Sequence, residues 1–67
     1  MIQLTINGQF QRFEDSLNLQ QLLEQMSLQN KRIAVERNGE IVPRSQFVKQ
    51  KLCDGDRLEI VVAVGGG

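Results

Sequence analysis

The sequence predicts an α+β fold, with one helix packed on a mixed sheet of four to five strands. Three observations predict it. Strand-like apolar segments lie at both ends of the chain, two Asn-Gly turns each join a pair of short strands, and one stretch of helical periodicity lies between them. At 67 residues the chain makes one domain. A domain of this size buries only about 60% of the surface that its unfolded chain exposes, so its core is small.

Alternation defines the first strand, which puts Ile2, Leu4 and Ile6 on one face. Asn7-Gly8 follows, the strongest two-residue hairpin signal. The return strand covers Gln9 to Phe13, but Phe10 and Phe13 lie three apart. Strict alternation fails there, and a bulge or an early strand end is expected. Asp15 to Asn18 then leads into a helix in which Leu19, Leu22, Leu23 and Met26 form the i, i+3, i+4, i+7 stripe of a core-facing surface. Asn18 is the expected N-cap and Gln21 its capping-box partner.

Ile33 to Arg37 reads as a third strand, Asn38-Gly39 as a second hairpin turn, and Glu40 to Val42 as a short return strand. Pro43 ends it, having no N–H to give a ladder. Arg44 to Lys51 is polar and basic around Phe47 and Val48, which suits a short helical turn and loop with Arg44, Lys49 and Lys51 solvated. Asp54-Gly55-Asp56 makes the last turn before the final strand, Leu58 to Val64. The two end strands, far apart in sequence, are expected to pair as central neighbours. That is the β-grasp arrangement of ubiquitin-like proteins. The domain is expected over residues 1–64 and a flexible tail over residues 65–67.

Composition removes several function classes. Eight Lys and Arg balance eight Asp and Glu, so the basic footprint of a nucleic-acid binder is missing. With three Phe and no Trp or Tyr, so are the usual aromatic platforms for stacking bases. No apolar run approaches the roughly 18 residues of a membrane span, and no basic-then-apolar leader precedes the first strand. A cytoplasmic protein with no nucleic-acid or membrane partner is expected. Cys53 is the only cysteine, so no intrachain disulfide forms. Two aspartates follow it within three residues, a poor setting for a reactive thiolate, and Cys53 is expected as a small core residue.

Histidine is absent, so there is no Ser-His or Cys-His nucleophile and no zinc set. The carboxylates are scattered, and Asp54 and Asp56 fit turn chemistry around Gly55. The expectation is a protein that is not an enzyme, with no catalytic residue, no metal site and no bound cofactor.

Gly65-Gly66-Gly67 points elsewhere. Glycine has no side chain to pack and loses the most backbone entropy on ordering, so three in a row serve a fold poorly. A thin tail that takes whatever φ/ψ a channel imposes would serve to carry a terminal carboxylate into another protein's active site. A frayed end is the alternative. On the first reading Gly67 is the residue that is adenylated, and Gly65 and Gly66 give reach. Period-2 alternation turns Leu58, Ile60 and Val62 to the core and Glu59, Val61 and Ala63 outward. Val61 and Ala63, with Glu59 beside them, then form a spot suited to docking on a partner, although single exposed apolar residues are also common.

These features together resemble the ThiS family of thiamine-biosynthesis sulfur carriers, which are ubiquitin-like β-grasp proteins. The resemblance runs along essentially the whole chain. It rests on the first strand, Leu22-Leu23, the segment Val35 to Arg44 (VERNGEIVPR), Leu52-Cys53-Asp54-Gly55-Asp56 and the ending Val64-Gly65-Gly66-Gly67. It implies a carrier and co-substrate. An E1-like (ThiF-like) adenylyltransferase would activate the Gly67 carboxylate with ATP and Mg, and a cysteine desulfurase would supply the sulfur of a thiocarboxylate. A ThiG-like thiazole synthase would then accept that sulfur.

Two positions depart from the family pattern. Phe47 stands where Trp is common, and Gly65 is variable among relatives. The alternatives are a molybdopterin-synthase-type sulfur carrier, a ubiquitin-like protein modifier, and a structural β-grasp interaction module.

Overall fold

The computed structural model describes residues 1–63. Five strands and one helix follow in the order β1 (Ile2–Ile6), β2 (Gln9–Phe13), α1 (Leu19–Gln25), β3 (Ile33–Arg37), β4 (Glu40–Val42) and β5 (Arg57–Val62), with a 3₁₀ turn at Arg44–Gln46. The strands form one sheet in the order β2-β1-β5-β3-β4. The first and last strands are parallel neighbours, with Thr5 beside Arg57 and Ile6 beside Leu58, and every other pairing is antiparallel. This is the expected β-grasp order.

Both Asn-Gly turns carry positive φ at both central residues, 51° and 82° at Asn7 and Gly8 and 52° and 90° at Asn38 and Gly39. That is the type I′ geometry whose twist matches the strands it joins. The bulge expected in β2 does not occur. Phe13 lies opposite Ile2 and Phe10 opposite Thr5 in an unbroken register. A spacing of three puts the two rings on opposite faces. Phe13 packs against the core, while Phe10 stands outside at 74% exposure.

The helix begins as its sequence asks. The Gln21 N–H donates to the Asn18 Oδ1 at 2.7 Å and the Asn18 N–H donates to the Gln21 Oε1 at 2.8 Å, a complete capping box. The Leu19 N–H donates to the Gln50 carbonyl and the Gln20 N–H to the Phe47 carbonyl, so the loop before β5 satisfies the first turn. The helix ends in a Schellman motif, with the Leu28 N–H on the Leu23 carbonyl (2.8 Å) and the Ser27 N–H on the Glu24 carbonyl (3.0 Å). Ser27 takes the left-handed position at φ 61°, where glycine is usual. Replacing Asn18 by Ala should cost about 1 kcal/mol of stability, read as a lowered denaturation midpoint at unchanged m-value.

Leu19, Leu22 and Leu23 of the helix meet Leu4, Val35 and Leu58 of the three central strands, all essentially without solvent exposure. Phe47 closes one side at 2% exposure. Arg44 supports that corner, since its Nη2 donates to the Lys31 carbonyl at 2.7 Å and its guanidinium lies 5.9 Å from the Phe47 ring centre. Arg44 therefore ties the helix-to-β3 connection to the loop around Phe47.

Cys53 is not in the core. It is exposed, and the buried position in its turn belongs to Asp56. The reason is satisfaction of polar groups. The Asp56 Oδ2 accepts the Cys53 N–H (2.8 Å) and the Arg37 Nε (3.0 Å), with the Arg37 Nη2 at 2.7 Å, and its Oδ1 accepts the Asn38 Nδ2 (3.1 Å). These partners offset the cost of taking the carboxylate out of water, whereas a thiol has no comparable set of partners. Burial on its own raises the Asp56 pKa, but the Cys53 amide, the Asn38 amide and the Arg37 charge outweigh it and hold the carboxyl below its ordinary value.

Candidate functional site

The sequence places the candidate site at the end of β5. Three elements build it. β5 is the centre of the sheet, β3 lies along one edge of it throughout, and β1 lies along the other edge as far as the Asn7-Gly8 turn.

Glu59, Val61 and Ala63 point away from the helix, as alternation requires, and all three are exposed, Val61 at 62%. Leu58 and Ile60 face the core. Val62 does not follow them fully inside, standing 37% exposed. Its position explains this. β1 has already turned at Asn7, so Val62 has a cross-strand neighbour only in Ile33 among the described residues. Gly65, Gly66 and Gly67, and Val64 at the expected domain boundary, lie outside the described residues.

The register adds residues that sequence periodicity did not connect to the site. Val61 sits opposite Ala34, and Glu59 sits opposite Glu36, which in turn lies opposite Ile41 of β4. An apolar area of Val61, Ala34 and Ile41 therefore borders a pair of like charges on one open face. Like charges directly opposite each other cost roughly 0.2–1 kcal/mol. A cross-strand partner is a property of register, so nothing in either local segment announces it.

Other chemistry is sparse. Among the described residues no three His, Cys, Asp or Glu side chains are grouped to hold a metal ion, and no helix is long and apolar enough to cross a membrane. The Cys53 Sγ lies 3.8 Å from the Arg37 Nη2. It sits before the start of β5, and six residues of strand at about 3.3 Å each put roughly 20 Å between it and the strand's other end. The thiol and Val62, the last residue of β5, therefore lie toward opposite ends of that strand.

Known proteins match this arrangement. The model of the ThiS family matches residues 4–67. The chain is 42% identical over 65 residues to the sulfur carrier protein ThiS of Bacillus subtilis, a match covering 96% of this chain and 98% of that one. It is also 42% identical over 66 residues to a thiazole synthase of Paramagnetospirillum magneticum, where 98% of this chain spans only 20% of the relative's length. Among solved structures, the crystal structure of the thiamine biosynthesis protein ThiS from Geobacter metallireducens superposes with a TM-score of 0.83. It is 35% identical, over 98% of this chain and all of that one. The sequence match runs through the final glycines and the described fold agrees with it, and the chain belongs to the ThiS family.

Proposed function

We propose that this protein is the sulfur carrier of thiamine biosynthesis, a co-substrate of partner enzymes. The observation that carries this reading is the full-length match to ThiS, with the family model running through Gly67. An E1-like adenylyltransferase, using ATP and Mg, converts the Gly67 carboxylate into an acyl adenylate. That mixed anhydride is an electrophile that sulfur can attack. The outer sulfur of a cysteine desulfurase persulfide attacks its carbonyl and expels AMP. A thiol then cleaves the acyl disulfide so formed and ends in a disulfide with the donor cysteine. The thiocarboxylate left on Gly67 is delivered to thiazole synthase. The match to a segment of a thiazole synthase supports that last partner.

The chain contributes positioning. Four residues, Val64 to Gly67, follow the last described one, and fully extended they span at most about 14 Å. A partner's reacting centre must therefore come within that distance of Ala63, which requires contact with the surface beside it. The exposed Val61, with Ala34 and Ile41, offers apolar area for this, and the Glu36–Glu59 pair offers two carboxylates to a lysine or arginine. Val61→Asp leaves the core untouched and should raise the KM of adenylation by about tenfold or more, the usual scale for losing an interface anchor. Pyrophosphate exchange at varied carrier concentration measures this, and an unchanged KM would take Val61 out of the docking surface.

Intact mass spectrometry tests the function itself. Incubation with the adenylyltransferase, ATP, Mg and a desulfurase should add the mass of one oxygen exchanged for one sulfur. Thiazole formation should then depend on that species. A sulfur-bearing product that thiazole synthase does not use would favour the molybdopterin-type carrier. Isopeptide conjugates would favour a protein modifier. An unchanged mass with an activating enzyme of proven activity would leave an interaction module.

A further inference from the structure

Strand β5 turns alternate backbone groups toward its two neighbours. On the β1 side, the Thr5 N–H donates to the Asp56 carbonyl (3.0 Å) and the Asn7 N–H to the Leu58 carbonyl (2.9 Å). At Ile60 the partner is no longer backbone. The Ile60 N–H donates to the Asn7 Oδ1 at 2.7 Å, and the Asn7 Nδ2 donates to the Ile60 carbonyl at 3.1 Å. A side-chain amide thus imitates the peptide group that β1, having turned, does not supply. By the same alternation the Val62 N–H and C=O face the side that β1 has vacated. Val61 and Ala63 face β3, with the Ala63 N–H on the Arg32 carbonyl at 2.9 Å. Among the described residues, Ile60 is therefore the last of β5 held from the β1 side.

We propose that Asn7 is a positioning residue of the carrier, whose side-chain amide fixes Ile60 and so sets the direction in which Val61 and Ala63 leave the domain. The inference rests on the sulfur-carrier reading and adds to it a residue outside the tail and outside the docking face. The reason is physical. Docking residues Glu59 and Val61 flank the clamp directly, so a strand loosened at Ile60 must be ordered again when a partner binds. That cost falls on formation of the complex and not on the chemical step once the complex is full. Turn geometry alone would also favour asparagine here, since φ is positive. Glycine supplies that φ equally well, so Asn7→Gly removes the amide and keeps the turn.

The second hairpin provides the control. The Asn38 Oδ1 accepts the Arg57 N–H at 2.9 Å, the accepting half of such a clamp at the other end of β5, while its Nδ2 donates to the Asp56 Oδ1. In Asn7→Gly, which removes the acceptor of the Ile60 N–H, amide hydrogen exchange at Ile60 should quicken by about tenfold or more. The KM for the carrier in adenylation should rise about three- to tenfold, with kcat retained. In Asn38→Gly, assayed where circular dichroism shows it folded, KM should stay at the wild-type value. Unchanged exchange at Ile60 would overturn the proposal without any enzyme being involved. Faster exchange with an unchanged KM, or an equal KM rise in Asn38→Gly, would reduce Asn7 to a stabilising residue. Failure of the wild-type chain to be adenylated would instead sink the carrier reading, a result visible before any variant is made.

Discussion

Replacing Asp56 by Ala should lower stability by about 2–3 kcal/mol, the scale of losing charge-assisted hydrogen bonds from a mostly buried group. For a domain this small that is a fall of roughly 10–20 °C in Tm. The substitution strips partners from Arg37, Asn38 and the Cys53 N–H at once, and Arg37 keeps its bond to the Gln50 Oε1 at 2.8 Å and its 3.8 Å contact with the Cys53 Sγ. The same network sets a pH dependence. The folded-state pKa of Asp56 lies below its ordinary value, and the unfolded-state value is about 3.9. A depressed folded pKa stabilises the native state above the unfolded pKa, and the contribution disappears as pH falls through the folded value. Stability should therefore be level near neutrality and decline below about pH 4. Asp56→Asn, which cannot titrate, should lose part of that decline. Thermal unfolding by circular dichroism across this range measures both effects. An Asn variant with the full acid decline would place its origin in other carboxylates.

Removing Gly67 should abolish thiocarboxylate formation while leaving stability within about 0.5 kcal/mol of wild type, as for surface changes generally. The shortened chain still ends in a glycine carboxylate, so chemistry at the terminus is preserved and only reach is lost. One residue is worth about 3.5 Å of extended chain, and misplacement of a reacting group by about 1 Å already costs on the order of 10²-fold. Gly67→Ala separates the second requirement, keeping length and adding bulk beside the carbonyl, and should slow the reaction without abolishing it. Mass spectrometry of the three proteins after one incubation decides this. Full modification of the chain ending at Gly66 would show that reach is not limiting.

What the sequence disclosed was local. Both type I′ turns, the Asn18–Gln21 capping box and the Leu19, Leu22, Leu23 stripe are written within a few residues and appear as expected. The misjudged features depend on partners far along the chain. Phe10 and Phe13 suggested a bulge because their spacing was weighed without the register to β1. Cys53 was placed inside because a thiol is apolar and an aspartate is not. The outcome was decided by Arg37 and Asn38, residues 19 and 18 positions from Asp56. Glu36 and Ile41 joined the docking face only through pairing. Asn7 announced a turn, and nothing nearby announced that its amide would meet Ile60. The tail is the converse case, plain in the sequence and beyond the described residues.

The central position of β5 has a consequence for how the molecule comes into being. Two hairpins, β1-β2 and β3-β4, flank a strand made last, and neither touches the other in the sheet order. Closing the sheet means bringing Thr5 beside Arg57 and Ala34 beside Val61, long-range contacts that are slow to form and that reward the chain only when nearly all of it is present. A nascent or proteolysed chain that stops short of β5 has two hairpins and no middle, and two-stranded ribbons are marginal in water. Folding thus acts as a length check. Any copy that is compact already carries β5, and truncated copies remain open to proteases.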